Sequence, residues 1–291
     1  MDLQKVKPRI SVIIPVYRDK AGLETTLRSL KNQTIPQTDF EIIVSNDGDH
    51  PEIKSFCRHY QVRIINIFPR KGSYNARNEA IRLADGEAIA FVDADIQVPV
   101  DWLQRGFDSL LNADYVAGPV NIIPKPNMTI PELYEFSTAF DIKKYMEKYN
   151  FGVTANLFVR KEIFNQVGVF DSDLKSSGDL EFGDRVYRSG IFRQVYNGEL
   201  AVDHPPRDYP ELIKKIKRGC SGQVQLKRKY PDRFPFINLH IVYNIFKSLV
   251  PPGLKRIRNI QGRHRAVQLF IFSWHIKILK GIFTIKYTLH H

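Results

Sequence analysis

Ala88-Ile89-Ala90-Phe91-Val92-Asp93-Ala94-Asp95 is the stretch on which the reading of this chain turns. Its five leading apolar residues make a short strand buried on both faces, as in a parallel sheet covered by helices. Two carboxylates just beyond such a strand stand at the carboxyl edge of an open α/β sheet, where these folds hold ligands. Paired acids there suit a hard divalent cation, which takes oxygen ligands and bridges to a diphosphate. An isolated Asp-X-Asp also ends strands and caps helices, so the neighbouring segments carry the decision.

Upstream, Ile-Ser-Val-Ile-Ile-Pro-Val at 10–16 is a second β-branched apolar run. Leu23, Leu27 and Leu30 then recur at helical spacing across 22–32, and another strand pattern covers 40–44. That order is a βαβ unit with a right-handed crossover and a parallel sheet. A strand at 62–68, a helix at 74–84 and the strand at 88–92 continue it, so the first hundred residues form a mononucleotide-type α/β half. Beyond the Asp pair the spacing predicts a helix over 102–112 and strands over 115–123 and 151–159. A short helix over 161–167, a helix over 181–189 stopped by Gly190, and closing strands at 193–195 and 200–202 follow. No repeat or low-complexity linker interrupts residues 1–205, which read as one compact domain.

Length permits one large domain and an appendage, which excludes a mini-protein scaffold. Cys57 and Cys220 form no metal or redox pattern, so a reducing compartment is expected. Met1-Asp2-Leu3-Gln4-Lys5 shows no signal-peptide apolar segment, which points to the cytoplasm. The net charge of +12 is unevenly placed: residues 205–291 carry 18 Lys and Arg against three acids, whereas residues 1–204 sum to −3. A basic segment meets nucleic acid, an anionic membrane surface or an acidic substrate. Its Ile, Leu and Phe content favours the membrane, and with no nucleic-acid motif a nucleic-acid partner is not expected.

Within that segment, 209–230 sets Leu212, Ile216, Val224 and Leu226 among cations on a helical pattern. Residues 267–279 are mostly apolar, but the uninterrupted run is only 269–274, shorter than the roughly 20 residues a spanning helix needs. An interfacial helix at a membrane surface is the reading, with packing on the α/β body as the alternative.

Four segments, Ser11-Val12-Ile13-Ile14-Pro15-Val16-Tyr17, Val44-Ser45-Asn46-Asp47-Gly48, Gly72-Ser73-Tyr74-Asn75-Ala76-Arg77-Asn78 and Phe91-Val92-Asp93-Ala94-Asp95, resemble in order and spacing the family 2 glycosyltransferases of the GT-A fold. The similarity continues through Thr154-Ala155-Asn156-Leu157-Phe158-Val159-Arg160, Val167-Gly168-Val169-Phe170-Asp171 and Gly178-Asp179-Leu180-Glu181-Phe182, so it spans about residues 10 to 205. The resemblance implies an α/β, GT-A nucleotide-diphospho-sugar transferase fold: a mainly parallel central sheet flanked by helices in 1–205, with a basic helical extension in 206–291.

It also implies roles. Pro15, Val16 and Tyr17 close the first strand at the edge that similar enzymes use for the nucleotide. Asp47, read as a turn residue after the second strand, can accept the imino N–H of a uracil-like base, which favours a UDP-sugar; Asn-Asp-Gly equally makes a tight turn alone. Gly72 permits close backbone approach and Arg77 can neutralise phosphate. The resemblance places them and Asn78 beside the diphosphate; an ordinary solvated helix face is the other reading.

Asp95 is expected to ligate Mn²⁺ or Mg²⁺, a Lewis acid for the leaving diphosphate, with Asp93 contacting the ribose or the metal shell and Ala94 in the nucleotide-sugar site. His204 completes the metal shell or touches the diphosphate, or is a surface histidine before Pro205-Pro206. Asp179 is expected to be the catalytic base that takes the acceptor's hydroxyl proton; a plain helix cap is the alternative. The family usually has Glu-Asp here and this chain has Gly178-Asp179, with Glu181 and Asp184 as substitutes in a shifted register.

The expected activity is metal-dependent, inverting transfer from a nucleotide-diphosphate sugar to a hydroxyl on a lipid-linked or saccharide acceptor. Polysaccharide or glycolipid synthesis at the cytoplasmic membrane face would use it. Transfer to a polyprenyl phosphate, or a catalytically silent nucleotide-sugar or membrane-binding protein, are the rival readings.

Overall fold

A computed structural model of the chain describes residues 8–235, 250 and 263–289. The predicted alternation is present: β1 (Ile10–Val16), α1 (Lys20–Lys31), β2 (Phe40–Asp47), α2 (Pro51–His59), β3 (Arg63–Ile67), α3 (Ser73–Leu83) and β4 (Ala88–Val92). There follow α4 (Trp102–Ser109), β5 (Tyr115–Ala117), β6 (Val120–Ile122), α5 (Ile130–Thr138), α6 (Ile142–Tyr149), β7 (Asn156–Arg160) and α7 (Glu162–Val167). The described chain closes with α8 (Gly178–Ser189), β8 (Gln194–Tyr196), β9 (Val202–His204), α9 (Tyr209–Lys229) and α10 (Arg263–Leu289). Seven strands form one sheet in the order β3-β2-β1-β4-β7-β5-β8, mainly parallel, with β7 antiparallel to both neighbours.

Side-chain pattern accounts for this sheet. β4 is buried at every position, and Leu23, Leu27 and Leu30 of α1 are all buried against the strands, each contributing roughly 1.5–3 kcal/mol. Pro15 is tolerated in the sheet because β1 pairs with β4 only as far as Ile13, so its missing N–H lies past that ladder.

Several boundaries differ from the sequence reading. β2 runs through Asp47, which pairs with Ile67 of β3 instead of sitting in a turn. A half-buried side-chain bond from Asn46 Nδ2 to Asn66 Oδ1 (2.9 Å) helps extend that pairing. The strand expected over 115–123 breaks at Gly118-Pro119, where a Cβ on Gly118 would lie 2.0 Å from the Leu200 carbonyl oxygen. α8 begins at Gly178 rather than at 181, which moves Asp179 into its first turn. Helices α5 and α6 were not anticipated, although Thr129 and Glu132 form a capping box at the start of α5.

The chain divides into two compact units. The first comprises the described residues of 8–121, 140–173 and 178–204, and the second those of 122–139, 174–177 and from 205 onward. In the second unit Tyr134 of α5, Leu212, Ile216 and Cys220 of α9, and Leu269 and Ile276 of α10 form a buried apolar cluster. α10 is 27 residues long, about 40 Å at the helical rise. By length and composition alone 264–289 suffices to cross a membrane, so the helix is longer than its uninterrupted apolar run indicates. Its other side leaves Val267, Ile271, Ile282 and Leu289 exposed.

Candidate active site

The parallel strands bring their carboxyl ends to one edge of the sheet, where Val16 lies beside Asn46. Because β7 is antiparallel, its beginning arrives at the same edge, with Asn156 opposite Val92. Asn156 is fully buried and satisfied, accepting from Trp102 Nε1 (3.0 Å) and donating to the carbonyls of Pro119 (2.9 Å) and Leu200 (2.5 Å). Thr154, two residues earlier, is thereby held at the edge.

Asp93-Ala94-Asp95 turns away from β4 under the start of α1. Thr26 Oγ1 donates to the Ile96 carbonyl at 2.8 Å, and a Cβ on Gly22 would meet the Ala94 carbonyl oxygen at 2.7 Å. Ala94 is buried, while the Asp93 and Asp95 side chains are 38% and 30% exposed. α3 supplies Arg77, buried, whose Nη2 donates to Asp93 Oδ1 at 2.5 Å. The Arg77 Nε is buried without a hydrogen-bond partner.

His204 is buried, not a surface residue, and its Nε2 lies 3.3 Å from Asp95 Oδ2. Reciprocal backbone bonds between Gln97 and Asp203 (2.8 and 2.9 Å) hold these two segments together. Among the described residues no cluster of three His, Cys, Asp or Glu side chains forms.

Asp179 lies in the first turn of α8, with Thr154 Oγ1 donating to its Oδ1 at 3.1 Å. Burial pushes its carboxyl up to about 6; the Arg77 guanidinium opposes this, the Asp93 carboxylate adds to it, and the Thr154 hydroxyl favours the charged form. The two substitutes in a shifted register are engaged elsewhere. Glu181 is buried in a two-point pair with Arg185 (2.8 and 2.9 Å), and Asp184 pairs with Arg188 (2.9 Å).

At the β1–β2 end, Tyr17 is 39% exposed, with the Arg70 guanidinium 3.9 Å above its ring and His50 edge-on at 5.0 Å. Pro15 and Val16 precede it within β1. Asp47 is buried and accepts the N–H groups of Lys71 (2.8 Å) and Gly72 (3.0 Å), with Arg70 Nε 3.5 Å away. Its carboxylate thus shapes the loop before α3, and Gly72 takes φ +99° there, a conformation that favours glycine. Asn78 donates to the Phe170 carbonyl (2.8 Å) and accepts from the Phe170 N–H (3.1 Å), so both ends of its amide tie α3 to the segment before α8.

The structure therefore brings Arg77, Asp93, Asp179 and Thr154 into one electrostatic group, with Asp95, two residues after Asp93, paired to His204 at the end of β9. Thr154 had no role in the sequence reading, although it opens the Thr-Ala-Asn segment. Tyr74 was also passed over: its hydroxyl accepts from the Gly178 N–H at 2.9 Å. A tyrosine in a helix carries no local mark of such a contact.

The sequence profile described as glycosyl transferase family 2 matches residues 11–168. Glycosyltransferase AglE of Haloferax volcanii is 31% identical over 226 residues, covering 75% of this chain and 74% of that protein. The chain spans 58% and 62% of the length of two further curated relatives. Among solved structures, the mannosyltransferase PcManGT from Pyrobaculum calidifontis, in complex with GDP-Man and Mn²⁺, superposes with a TM-score of 0.66 at 17% identity, covering 98% of this chain and 88% of that one. Residues 1–349 of S. aureus TarS in complex with UDP-GlcNAc give 0.56 at 15% identity, covering 97% and 92%. The sheet order, the strand-end carboxylates and these similarities agree, and the chain belongs to glycosyl transferase family 2.

Proposed function

We propose that this glycosyltransferase is metal-dependent and inverting, and moves a sugar from a nucleoside-diphosphate donor to a hydroxyl acceptor, with residues 1–205 carrying the chemistry. The observation that supports this most is the convergence of Asp93, Asp95 and Asp179 with Arg77 and His204 on one sheet edge. A general base needs a pKa near the working pH, and Asp179 at about 6 meets that need. Asp179 takes the acceptor hydroxyl's proton as that oxygen bonds to the anomeric carbon. The bond to the diphosphate breaks on the opposite side, and its electron pair leaves with the nucleoside diphosphate. A single in-line displacement inverts the centre.

Asp95 and His204 fit one divalent ion. Adjacent ligands about 2.1 Å from an octahedral ion stand about 3.0 Å apart, close to the 3.3 Å between Asp95 Oδ2 and His204 Nε2. The nitrogen donor favours Mn²⁺ over Mg²⁺, which prefers an all-oxygen shell. The ion would neutralise charge on the leaving diphosphate. Arg77 holds Asp93 in place, and its buried Nε offers a donor to a ligand oxygen. Tyr17 and Arg70 present a stacked face to a nucleotide base beside Asp47, whose remaining lone pairs can take a base N–H.

The testing experiment is calorimetry of uridine, guanosine and thymidine diphosphate sugars, each with Mn²⁺ and with chelator. Cation-dependent binding of one of them is expected; no binding to folded protein rejects the reading. Asp95→Ala should weaken donor binding in Mn²⁺ roughly 10- to 100-fold and make it insensitive to chelator. Unchanged cation-dependent affinity would remove Asp95 from the metal site.

Residues 206–291 are proposed to meet an anionic membrane surface, where a lipid-linked or growing saccharide acceptor is presented. The exposed apolar side of α10, with Lys280 and Lys286 also exposed, supports this. Deleting the helix would strip Leu269 and Ile276 from the second unit's core, so the better test leaves the core intact. Ile271→Ser with Ile282→Ser should weaken binding to phosphatidylglycerol vesicles by roughly tenfold or more, at the usual value of buried apolar area. Equal vesicle binding by the folded variant would reject the contact.

A further inference from the structure

The position where this chain departs from the family pattern, Gly178 in place of an acid, is occupied from elsewhere. The ring of Tyr74 lies so close that a Cβ built on Gly178 would stand 2.7 Å from two ring carbons and 2.9 Å from a third. Tyr74 is itself buried, stacked on Phe170 with ring centroids 5.7 Å apart, so the ring cannot swing aside cheaply. No side chain fits at 178 while Tyr74 keeps this position.

The hydroxyl of Tyr74 has a second task. The first amides of a helix have no partner within it and need an outside acceptor. Tyr74 Oη accepts from the N–H of Gly178 at 2.9 Å and from the N–H of Asp179 at 3.3 Å. Asp179 is consequently fixed at two points, its main chain by Tyr74 on α3 and its carboxylate by Thr154 before β7. The first contact comes from α3, which also carries Arg77, the partner of Asp93, and the second from the segment leading into β7, so the direction of the carboxylate is set relative to those charges.

We propose that Tyr74 and Gly178 are a matched pair that positions Asp179: the phenol stands where the family's second acid would stand, and its hydroxyl holds the start of α8. Tyr74 is thus a positioning residue rather than a catalytic one, and the proposal rests on Asp179 being the base. It explains how a chain lacking the Glu-Asp pair keeps its remaining acid in place. It also makes the two positions interdependent, since each tolerates change only with the other.

The test follows release of nucleoside diphosphate from whichever of UDP-glucose, UDP-GlcNAc and GDP-mannose binds, in Mn²⁺ with water as acceptor, using the full chain. Tyr74→Phe keeps the ring and loses the acceptor for the two amides. It should lower kcat by roughly 10- to 100-fold, as a small misplacement of a reacting group does, with KM for the donor unchanged. Gly178→Glu alone should lose roughly a hundredfold in kcat and melt at a lower temperature than wild type. Tyr74→Ala combined with Gly178→Glu should regain about tenfold or more over Gly178→Glu and recover the melting temperature, because the new acid enters the vacated volume.

Wild-type kcat in Tyr74→Phe overturns the positioning role. A double variant no better than Gly178→Glu in either kcat or melting temperature overturns the pairing. Asp179→Asn run alongside separates the two layers. Wild-type kcat in that variant would reject the base assignment, whereas the melting temperatures report the pairing regardless.

Discussion

Asp179→Asn slows sugar transfer by roughly a thousandfold, within the ~10²- to 10⁴-fold that a positioned general base contributes, while donor affinity in Mn²⁺ stays within about twofold. The amide keeps the acceptor oxygen for the Thr154 hydroxyl, so geometry is retained and basicity is lost. In the wild type the rate should rise with pH through about 6, as the half-buried carboxyl ionises. Turnover and donor binding measured separately check this, and unchanged turnover moves the base elsewhere.

The same substitution should stabilise the protein above about pH 6. The folded-state pKa of about 6 lies above that of an unfolded aspartate, about 3.9. Between those values the folded chain holds a proton that the unfolded chain releases, so wild-type stability falls as pH rises from about 4 through 6. Asp179→Asn has no such loss. Its melting temperature should exceed that of wild type at pH 7 to 8, and the two should converge near pH 4. A residue that costs stability when it is in its working state is the signature expected of function rather than packing.

Glu135→Ala is expected to cost about 3 kcal/mol, the lower end of the range for breaking a buried ion pair. Glu135 on α5 is buried and accepts from the Arg207 N–H (2.7 Å), Arg207 Nη1 (2.9 Å) and Lys215 Nζ (2.7 Å). Burial alone would push its carboxyl up, but the Lys215 and Arg207 cations outweigh that and hold it at about 2. Lys215 is pushed down to about 8 by burial and by Arg207, against the pull of Glu135. Removing the carboxylate leaves two cations facing each other beside the second unit's core; because both keep an edge in solvent, the loss stays at the low end.

Since the folded pKa of Glu135 lies below the unfolded one, its stabilisation is present above about pH 4.5 and is lost as pH falls toward 2. Urea unfolding at pH 7 and pH 3 reads both effects. An unaltered midpoint at pH 7 would mean that the three groups are solvated separately.

Much of the first unit was legible because its signals are local. β1 and β4 carry bounds readable from their largely apolar runs, and the leucines of α1 mark a buried helical face. Asp93 and Asp95 follow from where β4 stops. Boundaries failed where a distant partner extends or cuts an element: β2 gains Asn46 and Asp47 through pairing with β3, and the strand over 115–123 is cut by the approach of Leu200 to Gly118. α10 extends well beyond its apolar run because helical continuity carries on through its lysines.

By itself the sequence determined the alternating α/β order, the mainly parallel sheet, the strand-end carboxylates and the family, since each rests on residue type at short spacing. Only the tertiary structure decided which charges meet. Asp95 faces His204 across more than a hundred positions, Asp93 takes Arg77 from α3, and Asp179 takes Thr154 because β7 runs antiparallel to β4. Tyr74 against Gly178 belongs to the same class. Periodicity fixes which face of an element is buried, but the partner across that face is set by crossover and strand direction, which no local pattern encodes.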